Sequence, residues 1–371
     1  MRVLVVAPIA PPYGGMALQA QQLQALLRRD GVHVALLASN FALPFPLGFA
    51  ERVPVVRAAI RAALVWFKLW TKVREADVVH VFAASWLYFF VVVYPAVLVG
   101  RARGRRVVVN YRGGEASSFF RRYGWLAAKC FRSAGVITAP SEFLAAAIRE
   151  RFDVPVSIVP NILDTSLFSY RRRTAIRPRL LVTRHLEKIY DTETVLKAFR
   201  SVQSRYPDAS LWIAGGGSEE ARLRGLVSEW NLPGVRFLGE IAHRDLPSVY
   251  GECDIYVNAS RVDNFPGALL EASAAGLVVV TTRAGGIPFI YDHGKTASMV
   301  DPGDWEALSD AIIKVLQNPS QGVQMTEAAL AIVRACEWTE VRKRLFEAYG
   351  FGNETGSTGP ASLNGARCVA G

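Results

Sequence analysis

Alternation of β-branched apolar runs with helical stretches along the whole chain predicts an α/β fold, and a polar interruption near its middle predicts two such units in series. The runs are almost continuously apolar, which is how strands read when helices cover both faces of a parallel sheet. A length of 371 residues is about twice that of an ordinary domain, so each unit can bury its own core.

In the first half the strands fall at Arg2 to Ala7, His33 to Ala38, Val78 to Phe82, Arg106 to Tyr111, Gly135 to Ala139 and Ser157 to Val159. Each is short and is separated from the next by enough chain for a right-handed crossover helix. The second series begins at Arg179 to Thr183 and continues with Leu211 to Ala214, Val235 to Leu238, Ile255 to Asn258, Val278 to Thr281 and Ala297 to Val300. Between the series, Asp164 to Pro178 carries Arg171-Arg172-Arg173 and Arg177 with little apolar periodicity, and reads as a linker. The expected division is an N-terminal unit at 1–168, a C-terminal unit at 169–335 and a helix at 336–349, for which a return to the first unit is one option. The tail, 350–371, is rich in Gly, Ser, Asn and Thr and is expected to be disordered, because it cannot bury enough apolar surface to offset ordering.

Composition narrows the function. Hydrophobic residues at 51% and charged residues at 20% suit a globular protein, and a formal charge of +11 points to an anionic partner: a phosphate-bearing ligand, nucleic acid or an acidic membrane. No aromatic-basic RNA motif or recognition helix supports nucleic acid. Cys130, Cys253, Cys336 and Cys368 show neither paired spacing nor a neighbouring His cluster, so no disulfide framework and no metal site are expected, and a reducing cytoplasm fits. Met1 to Ala7 is too short for a secretory signal and reads as the first buried strand. Phe82 to Val99 approaches the length of a membrane span, but Pro95 and its place between two strands favour a strand end followed by a core helix. Arg57 to Arg74 sets Trp66, Phe67 and Trp70 beside Arg61, Lys68 and Lys72 on an amphipathic helix; packed helix and membrane-surface helix are both open readings.

Four stretches carry candidate chemistry. The first strand is followed by Pro11-Pro12-Tyr13-Gly14-Gly15 and then a helix, a turn in which backbone amides at a helix N-terminus can meet an anion; a plain turn is the other reading. It lacks the G-x-G-x-x-G spacing of nicotinamide enzymes. Arg184 and Lys188 follow a strand of the second series at its carboxyl edge, where open sheets bind ligands, and Gly215-Gly216-Gly217-Ser218 follows the next strand. In Asp263-Asn264-Phe265-Pro266-Gly267-Ala268-Leu269-Leu270-Glu271 a loop runs into a helix. Its two carboxylates can accept hydrogen bonds from sugar or ribose hydroxyls, and a Glu in so apolar a helix needs a ligand or a distant cation. Gly285-Gly286-Ile287-Pro288 makes a further glycine turn.

Taken in order with Ala139-Pro140-Ser141-Glu142 and Val159-Pro160-Asn161-Ile162-Leu163-Asp164, these landmarks give the chain, over roughly residues 1 to 345, a resemblance to the retaining GT-B glycosyltransferases known as glycosyltransferase family 4. The resemblance implies a GT-B architecture, two Rossmann-like domains with parallel sheets facing an interdomain cleft. It implies a donor site in which Glu271 binds the ribose, Asp263 and the backbone from Asn264 through Leu269 hold the transferred sugar, Arg184 and Lys188 hold the diphosphate, and Gly215 and Gly216 lie close to the donor. Gly14 and Gly15 would close over donor and acceptor from the other side. It implies no cofactor and no metal, a nucleotide-diphosphate sugar as donor (a UDP-sugar favoured, GDP-mannose as the alternative), and a lipid-linked or polysaccharide acceptor, as in lipopolysaccharide assembly. The protein would then work in the cytoplasm, with the inner face of the plasma membrane as an option. A non-catalytic nucleotide-sugar binder keeps the fold and loses the reaction.

The chain departs from the family pattern in three places. Asp263 stands where many relatives carry Glu, shortening the reach. The strand ending at Tyr111 continues Arg112-Gly113-Gly114 where many relatives present a His, so Asn110 or Arg112 occupies that region. Arg184 and Lys188 are one residue closer together than the commonest spacing. Tyr13, His80, Asn110 and Arg112 are the acceptor-side candidates, with a core or turn role as the other reading of His80.

Overall fold

The computed structural model describes residues 1–10, 14–41 and 53–351; Tyr13, its prolines and the segment 352–371 lie outside the described residues. The first unit runs β1 (Arg2–Ala7), α1 (Gly15–Arg29), β2 (His33–Ala38), α2 (Pro54–Lys72), β3 (Val78–Ala83), α3 (Tyr94–Ala102), β4 (Arg106–Tyr111), α4 (Ala116–Ser133), β5 (Val136–Ala139), α5 (Glu142–Phe152) and β6 (Ser157–Ile158). The second runs β7 (Arg179–Val182), α6 (Thr192–Arg205), β8 (Ser210–Ala214), α7 (Glu220–Glu229), β9 (Val235–Gly239), α8 (Leu246–Glu252), β10 (Ile255–Val257), α9 (Gly267–Ala274), β11 (Val278–Thr282) and β12 (Ser298–Val300). Three helices follow, α10 (Trp305–Gln317), α11 (Pro319–Ala335) and α12 (Trp338–Tyr349).

Both sheets have six strands, ordered β2-β1-β3-β4-β5-β6 and β12-β11-β10-β7-β8-β9, and every pairing between them is parallel. The second sheet has the dinucleotide-binding order; the first has the other common doubly wound order. Each therefore has a point where successive connections leave in opposite directions, between β1 and β3 in the first and between β7 and β10 in the second. Ligands bind outside the carboxyl ends of strands at such points.

The strands bury both faces because helices cover both. In β1, Leu4 and Val6 join the core under α2 to α5, while Val3, Val5 and Ala7 join the opposite core under α1. That second core is completed from the far end of the chain: Trp338, Val341, Leu345, Ala348 and Tyr349 of α12 pack into it. Polar contacts fix the same helix, with Trp338 Nε1 donating to Asp30 at 2.9 Å, Arg342 pairing with Asp30 at 3.1 Å and Arg106 Nε donating to the Ala348 carbonyl at 2.9 Å.

The basic linker is absorbed internally. Asp254, just ahead of β10, is fully buried and accepts from Arg171 Nη2 at 2.7 Å, Arg173 Nε at 2.9 Å and Arg177 Nε at 2.7 Å. Arg173, 4% exposed, spends its remaining donors on the carbonyls of Cys253, Ala275 and Gly276. Burial alone would push the Asp254 carboxyl up, but the arginine hydrogen bonds win and hold it below the usual carboxylate range.

The apolar stretch from Phe82 resolves as the end of β3, a π-helical turn (Phe89–Val93) and α3, with Phe89, Val92, Val93, Ala96 and Val97 buried. Among the described residues no helix is long and apolar enough to cross a membrane. α2 buries Val65 and Leu69 and leaves Trp66, Phe67 and Trp70 about half or more exposed, with the Arg103 guanidinium 4.0 Å from the Trp70 ring centre.

Candidate functional site

The carboxyl edge of the second sheet gathers three of the expected residues at its switch point. Arg184 leaves the end of β7, and its guanidinium pairs with the Asp263 carboxylate from the loop after β10; both side chains keep 11% of their surface exposed. Burial works against the Arg184 charge, but Asp263 outweighs it and raises the guanidinium above its ordinary range. The same guanidinium lies 4.1 Å from the Tyr190 ring centre. Lys188, at the start of a 3-10 turn, is exposed and borders a polar hollow of about 420 Å³ lined also by Asp191, Glu193, Arg222 and Arg261.

Glu271 lies in α9 and does not face apolar surroundings alone. Its Oε1 is 3.1 Å from His243 Nε2 and its Oε2 accepts from the Tyr250 hydroxyl at 2.9 Å. Tyr250 Oη is in turn 2.7 Å from Thr183 Oγ1, the residue before Arg184. A short hydrogen-bonded chain therefore joins Glu271 to the arginine loop. The Glu271 hydrogen bond raises His243 above its ordinary range, against the opposing pull of partial burial. Tyr250, Thr183 and His243 were not legible as site residues, because each reaches the site from a different element and has no motif of its own.

The glycine turns serve the loops around the site. Gly215 has φ +141°, and a Cβ there would sit 2.2 Å from the Arg184 carbonyl oxygen; Gly217 meets Leu186 in the same way. The close approach that the first of these turns allows is thus to the arginine loop, with Gly216 accepting from Leu186 N at 2.9 Å. Gly285, with φ +52°, and Gly286 lie against Asp263 and Asn264, where a Cβ would come within 2.2 and 2.1 Å of carbonyl oxygens. Gly286 N also donates to the Asp263 carbonyl at 2.7 Å. Pro266 caps α9, whose first turn is Gly267, Ala268 and Leu269; the Leu269 side chain is buried in the core, so only its backbone faces the loop end.

Two hydrogen bonds bridge the units at this loop. Asn264 Nδ2 donates to the Gly113 carbonyl at 3.2 Å, and Asn161 Nδ2 donates to the Phe265 carbonyl at 3.4 Å. Phe143 and Phe289 also meet, with ring centres 5.7 Å apart. In the first unit Gly14 is the N-cap residue of α1, and a Cβ at Gly14 or Gly15 would meet nothing within 4 Å among the described residues.

Of the acceptor-side residues, Tyr13 lies outside the described residues. His80 is a correction: it sits inside β3, fully buried, with Nδ1 2.9 Å from the Tyr349 hydroxyl and Nε2 3.2 Å from Asn110 Nδ2. Burial, aided by the Arg112 charge, pushes it down to about 3, so it is a neutral tie between β3 and α12. Asn110 is buried in the same chain, and Arg112 extends it to the surface of the crevice, with Nε donating to Asn110 Oδ1 at 3.2 Å and Nη1 donating to Asn161 Oδ1 at 2.5 Å. Among the described residues no three His, Cys, Asp or Glu side chains gather as a metal ion would require.

Two family descriptions match this chain, Glycosyltransferase Family 4 over residues 13–167 and Glycosyl transferases group 1 over residues 171–331. The D-inositol 3-phosphate glycosyltransferase of Corynebacterium urealyticum is 30% identical over 172 residues, 44% of this chain and 41% of that protein. The match thus spans about two fifths of that relative's length. The GDP-mannose-dependent alpha-(1-6)-phosphatidylinositol monomannoside mannosyltransferase of Mycobacterium tuberculosis is 27% identical over 274 residues, 66% of this chain and 69% of that one. In fold, the chain matches Anabaena Alr3699/HepE, solved in complex with UDP, with a TM-score of 0.74 and 17% identity over 94% of this chain and 100% of that one.

Proposed function

The chain belongs to the glycosyl transferases of group 1 and family 4, and on that premise we propose that it is a retaining enzyme moving a hexose or N-acetylhexosamine from a nucleotide-diphosphate sugar to a lipid-linked or polysaccharide acceptor. The observation that carries this reading is the grouping of Arg184, Asp263 and Glu271 at the switch point of the second sheet, facing the first unit. In this reading Arg184 neutralises the leaving diphosphate, with Lys188 as a second cation, and such fixed charge is the main source of rate in this kind of transfer. Glu271 takes the ribose hydroxyls, exchanging the half-exposed His243 contact for them. Asp263 and the amides at the start of α9 hold the sugar, and Gly14 and Gly15 let backbone close in from the opposite unit.

A UDP-sugar is favoured over GDP-mannose as donor, bound without a metal. The aromatic and cationic face of α2 suits the interface of an anionic membrane, and it supports both a lipid-linked acceptor and work at the inner face of the plasma membrane. A thermal-shift screen of UDP, GDP and their sugars tests the donor, since a ligand bound only by the native state raises the melting temperature. No shift with any of them would remove the assignment. Flotation with anionic liposomes tests the membrane face: the protein is expected to float, and Trp66→Ser with Trp70→Ser to sediment.

A further inference from the structure

Arg112 is a partly buried cation with no counter-charge among the described residues. Burial pushes its guanidinium down to about 9, it is held by two amides and the Phe82 ring face at 4.8 Å, and no carboxylate pairs with it among the described residues. The acids nearest in sequence are committed elsewhere, Glu115 to Trp86 Nε1 and Glu142 to Arg149. A sheltered guanidinium without a carboxylate partner is a ready donor to an anion.

Its position is set by three adjacent strands. Asn110 of β4 is in register with Thr138 of β5, and Thr138 with Ser157 of β6. By bonding Asn161, Arg112 reaches from the end of β4 to the end of β6, and so crosses the carboxyl end of β5, where α5 begins. Ser141, the N-cap of α5, is 3% exposed, and its hydroxyl makes no capping bond and has no partner among the described residues. An arginine, a buried hydroxyl without a partner among the described residues and the first-turn amides of an eleven-residue helix thus lie at the carboxyl ends of the adjacent strands β4 and β5. The Asn264–Phe265 loop of the other unit bonds the chain after β4 at Gly113 and after β6 at Asn161. Helix N-termini attract phosphate through their free amides and dipole.

We propose that Arg112, Ser141 and the N-terminal turn of α5 form a phosphate-binding subsite on the first unit's side of the crevice. Its occupant is a phosphate group of a substrate, from the acceptor or from the donor. That assignment to a substrate rests on the glycosyltransferase reading; the anion site itself does not.

The test is a set of thermal melts in inorganic phosphate against chloride of matched ionic strength, in an Arg184→Ala background that removes the other unit's arginine. Phosphate is expected to raise the melting temperature. Arg112→Met should abolish the rise, and Ser141→Ala should weaken phosphate binding by about tenfold, the size of one charge-assisted hydrogen bond. Without phosphate, Arg112→Met should melt at or above its parent, since it removes an uncompensated charge; a melt well below the parent marks an ordinary structural arginine and overturns the proposal. UDP and GDP melts with Arg184 intact separate the sources: a nucleotide response kept by Arg112→Met assigns the acceptor phosphate, and one that is lost assigns the donor diphosphate. A phosphate response that is absent, or indifferent to Arg112, overturns the site. Should Arg112→Met not fold, Arg112→Lys and Ser141→Ala carry the comparison, and unchanged responses in both overturn it. Loss of all nucleotide-sugar binding with the phosphate response intact would remove the proposed reaction and leave the subsite.

Discussion

Strand β10 is bracketed by two aspartates bonded to arginine, and the two pairs have opposite fates. Asp254, at the amino end, is fully buried among three arginines of the linker, while Asp263, beyond the carboxyl end, has one arginine and keeps both partners partly exposed. In the first, the carboxylate is sealed from solvent and Arg173 spends its donors on it and on backbone carbonyls, so the pair holds the linker against the second unit. The second leaves surface for a ligand. What separates anchor from site is therefore which end of the strand the pair occupies and how completely its hydrogen bonds are spent, and both pairs look alike as charges in a sequence.

The sharpest way to break the contrast is Asp254→Ala, which strands Arg173 in the core and should cost about 3–5 kcal/mol of stability, measured by chemical denaturation. The same carboxylate sets a pH dependence. Its folded value lies below the unfolded one, so its contribution is present at neutral pH and is lost as pH falls through the folded value. Next in size, Glu271→Ala and Arg184→Ala should each lower transfer on the order of 10²–10³-fold while moving the melting temperature little. Near-normal turnover in either would place the chemistry elsewhere. Gly285→Ala sits between the two kinds of effect: strain at φ +52° and collision with Asp263 should cost roughly 1–3 kcal/mol and slow transfer in the protein that still folds. Turnover equal to the parent would show that the Asp263 loop needs no such buttress.

The smallest expected effect concerns His243. Its folded value is raised by the Glu271 hydrogen bond, so the stabilising pair is fully present below about pH 6.5 and is lost as pH rises through the raised value. If ribose replaces that imidazole, nucleotide affinity should rise a few-fold, well under 1.4 kcal/mol, over the same rise in pH. Calorimetric titration of His243→Gln should give a flat profile; a profile unchanged from the parent would mean that another group titrates.

The strands were legible because burial on both faces leaves long apolar runs with no competing pattern, and the Arg184, Asp263 and Glu271 positions were legible because each follows a strand. The partners of those side chains were not. Tyr250 and His243 come from α8 and the loop before it, and nothing local in their sequence says that they touch Glu271. His80 was open to two readings, ligand-facing or core, and what ties it into the core, the Tyr349 bonded to its Nδ1, lies 269 positions away. The linker arginines likewise counted toward an anionic partner by composition, although three of them serve Asp254.

That far-reaching helix α12 also sets an order of events. The face of β1 that carries Val3 and Val5 is made before the second unit, and the side chains of α12 that seal it are made after that unit. A nascent chain must hold that oily sheet face until the second unit is complete, so an N-terminal fragment ending at residue 168 should aggregate unless a peptide spanning 336–349 is supplied in trans.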